Sequence, residues 1–489
     1  MNKKSRPFLV IELLNAFSER ELSDLSHFAS CEYFNTDKYV VALLKALRKE
    51  VIHKKAFDDK TQCLVFQRVF PEKPRPKAAL NKQQKSFLLV KMNVLNRLAE
   101  TFLRHEALKQ NEACKTELLF DKLLEKNQFL SFKRHVIRIQ KALEEQPAKG
   151  IDEYALQLKV EIGIFNFLHK KGELVVEDNL PELIKNLDIY YLLYKLNFHV
   201  ACISLTDFSA KKSYDYAPME AIQALLKLSQ YAHQPLIHMY VIAVDLLKND
   251  THELYEQLVQ LLDEKSRYIS KQNLNHFYMI AGNFCGRKIR EGNIKYYEYM
   301  FLLYKKMEEK DLLREGNFIP VGTLKNVVTL SCKLGEFDWV KSIIEKYRPS
   351  LEKQHADSVY HFNMGAVSFY QNDFKAAISH FIRVEKVNLA YDINCRMMLL
   401  KSHYELDREY DERTLRTLLL SERFIQSHKD LIIKDKQAYK NFVRILINIY
   451  NTRHGAGRLT KEKILRKLEK LEFVSDKKWL LEKINALKE

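Results

Sequence analysis

Sixteen histidines, seven cysteines and several carboxylate–lysine clusters are the residues here whose types could do chemistry. Their spacing argues against most of the chemistries they suggest. A zinc-dependent hydrolase needs two histidines one helical turn apart with a glutamate between them, but His252-Glu253 and His105-Glu106 each lack the second histidine at that distance. His233 and His238 lie five apart, about 140° around a helix, on opposite sides of Pro235. The cysteines, Cys31, Cys63, Cys114, Cys202, Cys285, Cys332 and Cys395, are scattered with no C-x-x-C pair, so neither a zinc knot nor a disulfide framework is indicated. No glycine-rich loop of dinucleotide or P-loop type occurs, and no G-x-S-x-G elbow. Asp263-Glu264-Lys265 has the residue types of a nuclease site, which needs strands, whereas this triplet closes a helical run and reads as a solvated face. The expectation is a chain that binds without catalysing, with no metal and no cofactor.

Two groups of residues could bind. From Lys73 to Lys91 the basic side chains Lys73, Arg75, Lys77, Lys82, Lys85 and Lys91 occur with no acid after Lys73, a candidate phosphate-contacting patch in a chain of formal charge +17. A second basic stretch, Arg458, Lys461, Lys463, Arg466, Lys467 and Lys470, lies near the C-terminus. Tyrosines next to lysines (Tyr190, Tyr191, Tyr194; Tyr296, Tyr297, Tyr299, Tyr304, with Phe301 among them) offer apolar area with a hydroxyl, suited to a peptide groove, to base stacking or simply to a core.

The elements that must position these residues are helices. Gly and Pro number 12 and 10 in 489 residues, few for a strand-rich fold, and apolar residues recur at three- and four-residue steps throughout. Residues 7–56 read as three short helices, one opened by the capping box Ser18-Glu19-Arg20-Glu21. They form an N-terminal helical cap assigned to 1–70, with a death-fold-like adaptor as the weaker alternative. Pro71, Pro74 and Pro76 interrupt helix, and a long one is expected from about Ala78. Residues 71–232 then read as helical hairpins without a repeat consensus. From 233 to 452 turn-like breaks fall at Asn249-Asp250, Glu291-Gly292-Asn293, Leu334-Gly335-Glu336, Gln371-Asn372-Asp373 and Asp407-Arg408-Glu409, about 42 residues apart at first and about 36 later. Two charged helices fill 453–489. No stretch reaches the roughly 18 apolar residues of a membrane span, the N-terminus lacks a signal-peptide cleavage site, and the thiol pattern fits a reducing compartment, so a cytoplasmic location is expected.

Residues 323–420 resemble tetratricopeptide repeats. Met364, Gly365, Phe374, Ala377 and Phe381 occupy that family's Leu, Gly, Tyr, Ala and large-apolar positions. The preceding unit offers Leu324, Val327, Gly335, Phe337, Ile344 and Tyr347, with Pro349 near the closing position; Leu400, Tyr404 and Tyr410 match in the following one. About forty residues of the 7–56 stretch (F-S-x-x-E-L from Phe17, then S-x-x-Y-F-N from Ser30) also resemble the N-terminal part of uncharacterised bacterial helical-repeat proteins. The resemblance implies an all-α fold, an α-solenoid of stacked antiparallel hairpins whose inner groove receives a protein or peptide. The first helices of the repeats would line that groove, which singles out Asn326, Asn363, Arg396 and Lys401. A carboxylate clamp of the family's kind is not recognisable. Nucleic-acid binding through the basic surface and peptide-responsive regulation of another enzyme are the alternatives.

Overall fold

The computed structural model describes residues 9–52, 57–76, 78–172, 179–208, 222, 226, 231, 234–385, 387–407, 409–427, 433–457 and 459–487. Among them the protein is all helical, with a single isolated bridge, Glu315 to Phe318, and no strand. No helix is long and apolar enough to cross a membrane. The chain divides into two compact units, residues 1–195 with 221–231, and residues 196–220 with 232–489.

In the first unit α1 (Leu9–Asn15), α2 (Glu19–Ser30), α3 (Lys38–Glu50), α4 (Asp59–Val69) and α5 (Lys82–Gln110) share one core. Ser18 accepts from the Glu21 amide while the Glu21 carboxylate accepts from the Ser18 amide, so the capping box read in the sequence starts α2. Leu22, Leu25, Val40, Leu43, Leu44 and Leu47 are buried as their spacing requires. That core does not stop at residue 70. Leu88, Met92, Leu95 and Phe102 of α5 are part of it, because the proline segment folds the chain back so that α5 closes the open side of α3. α5 begins at Lys82 rather than near Ala78, fixed by Asn81, whose side-chain oxygen accepts from the Gln84 amide while its own amide donates to the Gln84 side-chain oxygen. α6 (Glu112–Glu125), α7 (Phe129–Glu145) and α8 (Ile151–Lys171) build a second cluster around Phe120, Phe132 and Phe167. There α6 and α8 meet closely: a Cβ on Gly163 would lie 2.3 Å from Phe120 Cδ2. α9 (Leu180–Phe208) carries the chain from the first unit into the second.

The second unit contains α10 (Pro235–Asn249), α11 (His252–Lys265), α12 (Lys271–Arg290), α13 (Tyr296–Glu309), α14 (Val321–Lys333), α15 (Phe337–Tyr347), α16 (Ala356–Tyr370), α17 (Phe374–Phe381), α18 (Leu389–Leu406), α19 (Glu412–Ser427), α20 (Ile433–Arg453), α21 (Lys461–Glu469) and α22 (Lys477–Asn485). Each of the five breaks read in the sequence falls between two of these helices. Four of them turn on a left-handed residue, Asp250 (φ 52°), Gly292 (φ 97°), Gly335 (φ 81°) and Asn372 (φ 61°), which is why Gly, Asn and Asp mark them. Each helix from α10 to α20 packs on the next, and in addition α10 packs on α12, α14 on α16, and α16 on α18.

Side-chain bonds join alternate helices. Lys306 binds Asp263, 43 residues back, at 2.6 Å, and Lys346 binds Glu308, 38 residues back. Asn273 of α12 donates to Tyr240 of α10 at 3.1 Å. Within the hairpin α16–α17, Gly365 lies against the Phe381 ring; Phe381 also contacts Phe362, which packs on Tyr391 of α18. The C-terminal helices α21 and α22 pack on α20, burying Ile464, Leu468, Leu480 and Ile484.

Candidate functional site

Side chains from α12, α14, α16 and α18 line one cavity of about 530 Å³ in the second unit. Helical spacing explains who lines it. Asn283, Gly286, Arg287 and Arg290 follow i, i+3, i+4, i+7 on α12; Asn326, Thr329 and Lys333 follow i, i+3, i+7 on α14; Asn394 and Met398 are one turn apart on α18. Phe362 and Ala366 of α16 and Met300 of α13 supply apolar floor.

Four cations, Arg287, Arg290, Lys325 and Lys333, line this cavity, and among the described residues no aspartate or glutamate does. Their states differ. Arg287 is committed to Asp250, which its guanidinium meets at 2.8 Å. Lys333 is exposed, with its ammonium 3.4 Å from the Tyr297 hydroxyl and above that ring. Lys325 is half-buried, and the loss of water around its ammonium pulls its pKa below the ordinary lysine value with no carboxylate to offset it.

Of the four groove residues expected from sequence, only Asn326 faces this cavity, exposed on α14. Asn363 is fully buried: its amide donates to the Val359 carbonyl at 2.8 Å, on the side of α16 that meets α18. Arg396 is exposed, but its guanidinium lies 3.8 Å from the centre of the Phe424 ring, on the α19 side of α18. Lys401 is 7 % exposed and paired with Asp476 from the turn before α22. Asn363 and Lys401 are therefore packing residues rather than groove-lining ones. Sequence reading passed over Asn283, Arg290, Lys325, Asn394 and Met398; the seven-residue recurrence of polar side chains on α12 and α14 was the available signal.

The basic stretch of the first unit is partly spent on internal contacts. Lys73 sits 3.8 Å from the centre of the Phe87 ring, and Lys91 pairs with Asp37 at 2.5 Å. Arg75, Lys82 and Lys85 are exposed, and Lys77 lies outside the described residues. In the C-terminal stretch Lys461 donates to the Asn485 and Leu487 carbonyls, tying α21 to the end of the chain; Arg458 is outside the described residues. Tyr296, Phe301 and Tyr304 are core, while Tyr297 reaches the cavity.

Among the described residues no group of three or more His, Cys, Asp or Glu is placed to hold a metal ion. Cys285, Cys332 and Cys395 are buried, and burial pushes the Cys332 thiol up to about 12. His252 bridges the Tyr296 hydroxyl (3.1 Å) and Glu256 (3.3 Å), and burial raises the Tyr296 pKa. Asp263 of the carboxylate–lysine triplet is bound to Lys306, across to the next hairpin. Comparison of the chain with protein-family models, with curated proteins and with solved structures gives no match in any of the three.

Proposed function

We propose that this is a non-catalytic binding protein whose second unit is a tetratricopeptide-like α-solenoid and takes a protein or peptide segment along the inner faces of α12, α14, α16 and α18. The observation that carries this reading is one cavity of about 530 Å³ to which α12, α14, α16 and α18 all contribute, with cations and carboxamides in its lining. Stacking of hairpins is supported by the packing of α10 on α12, α14 on α16 and α16 on α18, and by ion pairs whose 43- and 38-residue separations follow the spacing of the turns. Binding is favoured over structure alone because Asn326, Asn283 and Arg290 line the cavity while remaining exposed, so burial in the core does not account for them.

Affinity capture from native lysate with and without nuclease tests the reading. A polypeptide retained in stoichiometric amount after nuclease treatment, and lost when Asn326→Trp fills the cavity mouth, is the expected result. Retention of nucleic acid alone, abolished by nuclease and steeply salt-dependent, would instead point to the exposed Arg75, Lys82 and Lys85.

A further inference from the structure

Resting on the groove reading above, we infer that the segment received there is acidic: an extended polypeptide whose Asp or Glu side chains meet Arg290, Lys325 and Lys333, and whose backbone amides meet Asn283, Asn326 and Asn394. Two independent observations converge on it. The first is the one-sided charge of the lining, four cations with no carboxylate among the described residues. Among the described residues Lys325 and Arg290 have no carboxylate within ion-pair distance, whereas Lys306 pairs with Asp263, Lys346 with Glu308 and Lys483 with Glu405. A half-buried ammonium without a counter-ion is costly to keep, and an anion arriving from outside offsets that cost.

The second observation is that the chain already places one carboxylate on this stripe. Asn394, Met398 and Lys401 follow i, i+4, i+7 on α18, so Lys401 continues the line of the cavity toward the C-terminal end of that helix. Its ammonium is covered by Asp476, held in a left-handed turn (φ 48°) ahead of α22, with the Trp479 ring 5.4 Å away. Lys333 lies near enough to Lys401 for the two charges to repel, and Asp476 near enough to Tyr370 to add to the burial that raises its pKa. The end of the stripe thus carries an internal acidic residue over its lysine, and the open cations before it present the same chemistry without one.

A peptide fits better than a nucleic-acid strand. Carboxamide side chains carry a donor and an acceptor side by side, matching the peptide unit, and three of them point into the cavity. Base stacking needs exposed ring faces, but Tyr304 is buried and Tyr297 is already covered by Lys333.

The test is fluorescence anisotropy on the full-length chain with three labelled dodecapeptides, Glu/Ser-alternating, Lys/Ser-alternating and Gly/Ser, and with a dodecathymidylate. The Glu/Ser peptide is expected to bind most tightly, and Lys325→Met and Arg290→Met each to weaken it roughly tenfold, while Lys82→Met on the first unit leaves it unchanged. Circular dichroism melting of each variant confirms folding, and Lys325→Arg, which keeps the charge, is expected to retain binding. If the Gly/Ser or Lys/Ser peptide binds more tightly and Asn326→Trp abolishes it, the groove stands and the acidic ligand is overturned. If the Glu/Ser peptide binds equally to wild type, Lys325→Met and Arg290→Met, or if dodecathymidylate outcompetes it, the inference is also overturned.

Discussion

Replacing Gly365 probes how closely α16 and α17 are nested. A Cβ built there lies 2.7 Å from Phe381 Cε1 and 2.9 Å from Cδ1, about 0.7 Å inside the 3.4 Å at which ordinary contact begins. Phe381 cannot swing away: it is 2 % exposed, and Phe362 stands against it, backed in turn by Tyr391. Overpacking of this kind costs about 1 to 3 kcal/mol. Replacing Gly by Ala inside a helix returns about 1 kcal/mol of propensity. Gly365→Ala should therefore lose between about 0 and 2 kcal/mol, and Gly365→Leu more, because its branch has nowhere to go. The discriminating assay is a double-mutant cycle with Phe381→Leu, read by urea denaturation. In the Phe381→Leu background the clash is gone, so Gly365→Ala should become stabilising by about 1 kcal/mol. Stabilisation of the same size in both backgrounds would refute the close contact and with it the register of the hairpin.

Acidification should destabilise the second unit. Burial lowers the pKa of His276, His361, His380, His403 and His454, and the His361 and His380 rings also share a 3.0 Å contact that excludes a second charge. With folded pKa values below the unfolded value of about 6.5, the unfolded chain binds more protons, so stability is full above that pH and falls as pH drops through the folded values. The melting temperature should decline from pH 7 to pH 5, and less so for His361→Gln/His380→Gln; a flat profile would count against it. Asn363→Ala should destabilise by about 1 to 3 kcal/mol by opening a buried polar site, against under about 1 for Arg396→Ala, which loses an exposed cation–ring contact. Lys401→Ala should loosen α22 on α18, where Lys483 still pairs with Glu405, seen as faster hydrogen exchange over 477–485 with the first unit unchanged; unaltered exchange there would deny the Lys401–Asp476 pair any part in holding the C-terminal helices. Gly163→Ala in the first unit should be destabilising for the same reason as Gly365, its Cβ falling 2.3 Å from the buried Phe120 ring.

Helix content and turn positions were legible because backbone chemistry writes them locally. The left-handed turn residues Asp250, Gly292, Gly335 and Asn372 are of the types that tolerate that conformation, and Ser18 with Glu21 announces its helix three residues ahead. The orientation of each helix about its axis was harder to read. α16 is buried almost all round, at Val359, Phe362, Asn363, Ala366, Val367 and Phe369, so no polar stripe marks its inner side and Asn363 was assigned to the wrong arc. Lys401 was misread for another reason: its partner Asp476 is 75 residues away, on a segment whose docking on α18 no local pattern announces. The cation-only lining was hidden likewise, since Arg290 and Lys325 lie 35 residues apart on helices whose meeting no local pattern announces.

The central claim is that partners are received on the inner helix faces. Photo-crosslinking in the native cell tests it, with p-benzoylphenylalanine placed at Asn326 or Asn394 on the cavity and at the exposed Lys341 on α15 as the control. The account predicts that positions 326 and 394 capture one and the same polypeptide and that 341 does not. Capture at 341 in equal yield, or none at 326 and 394, would contradict it.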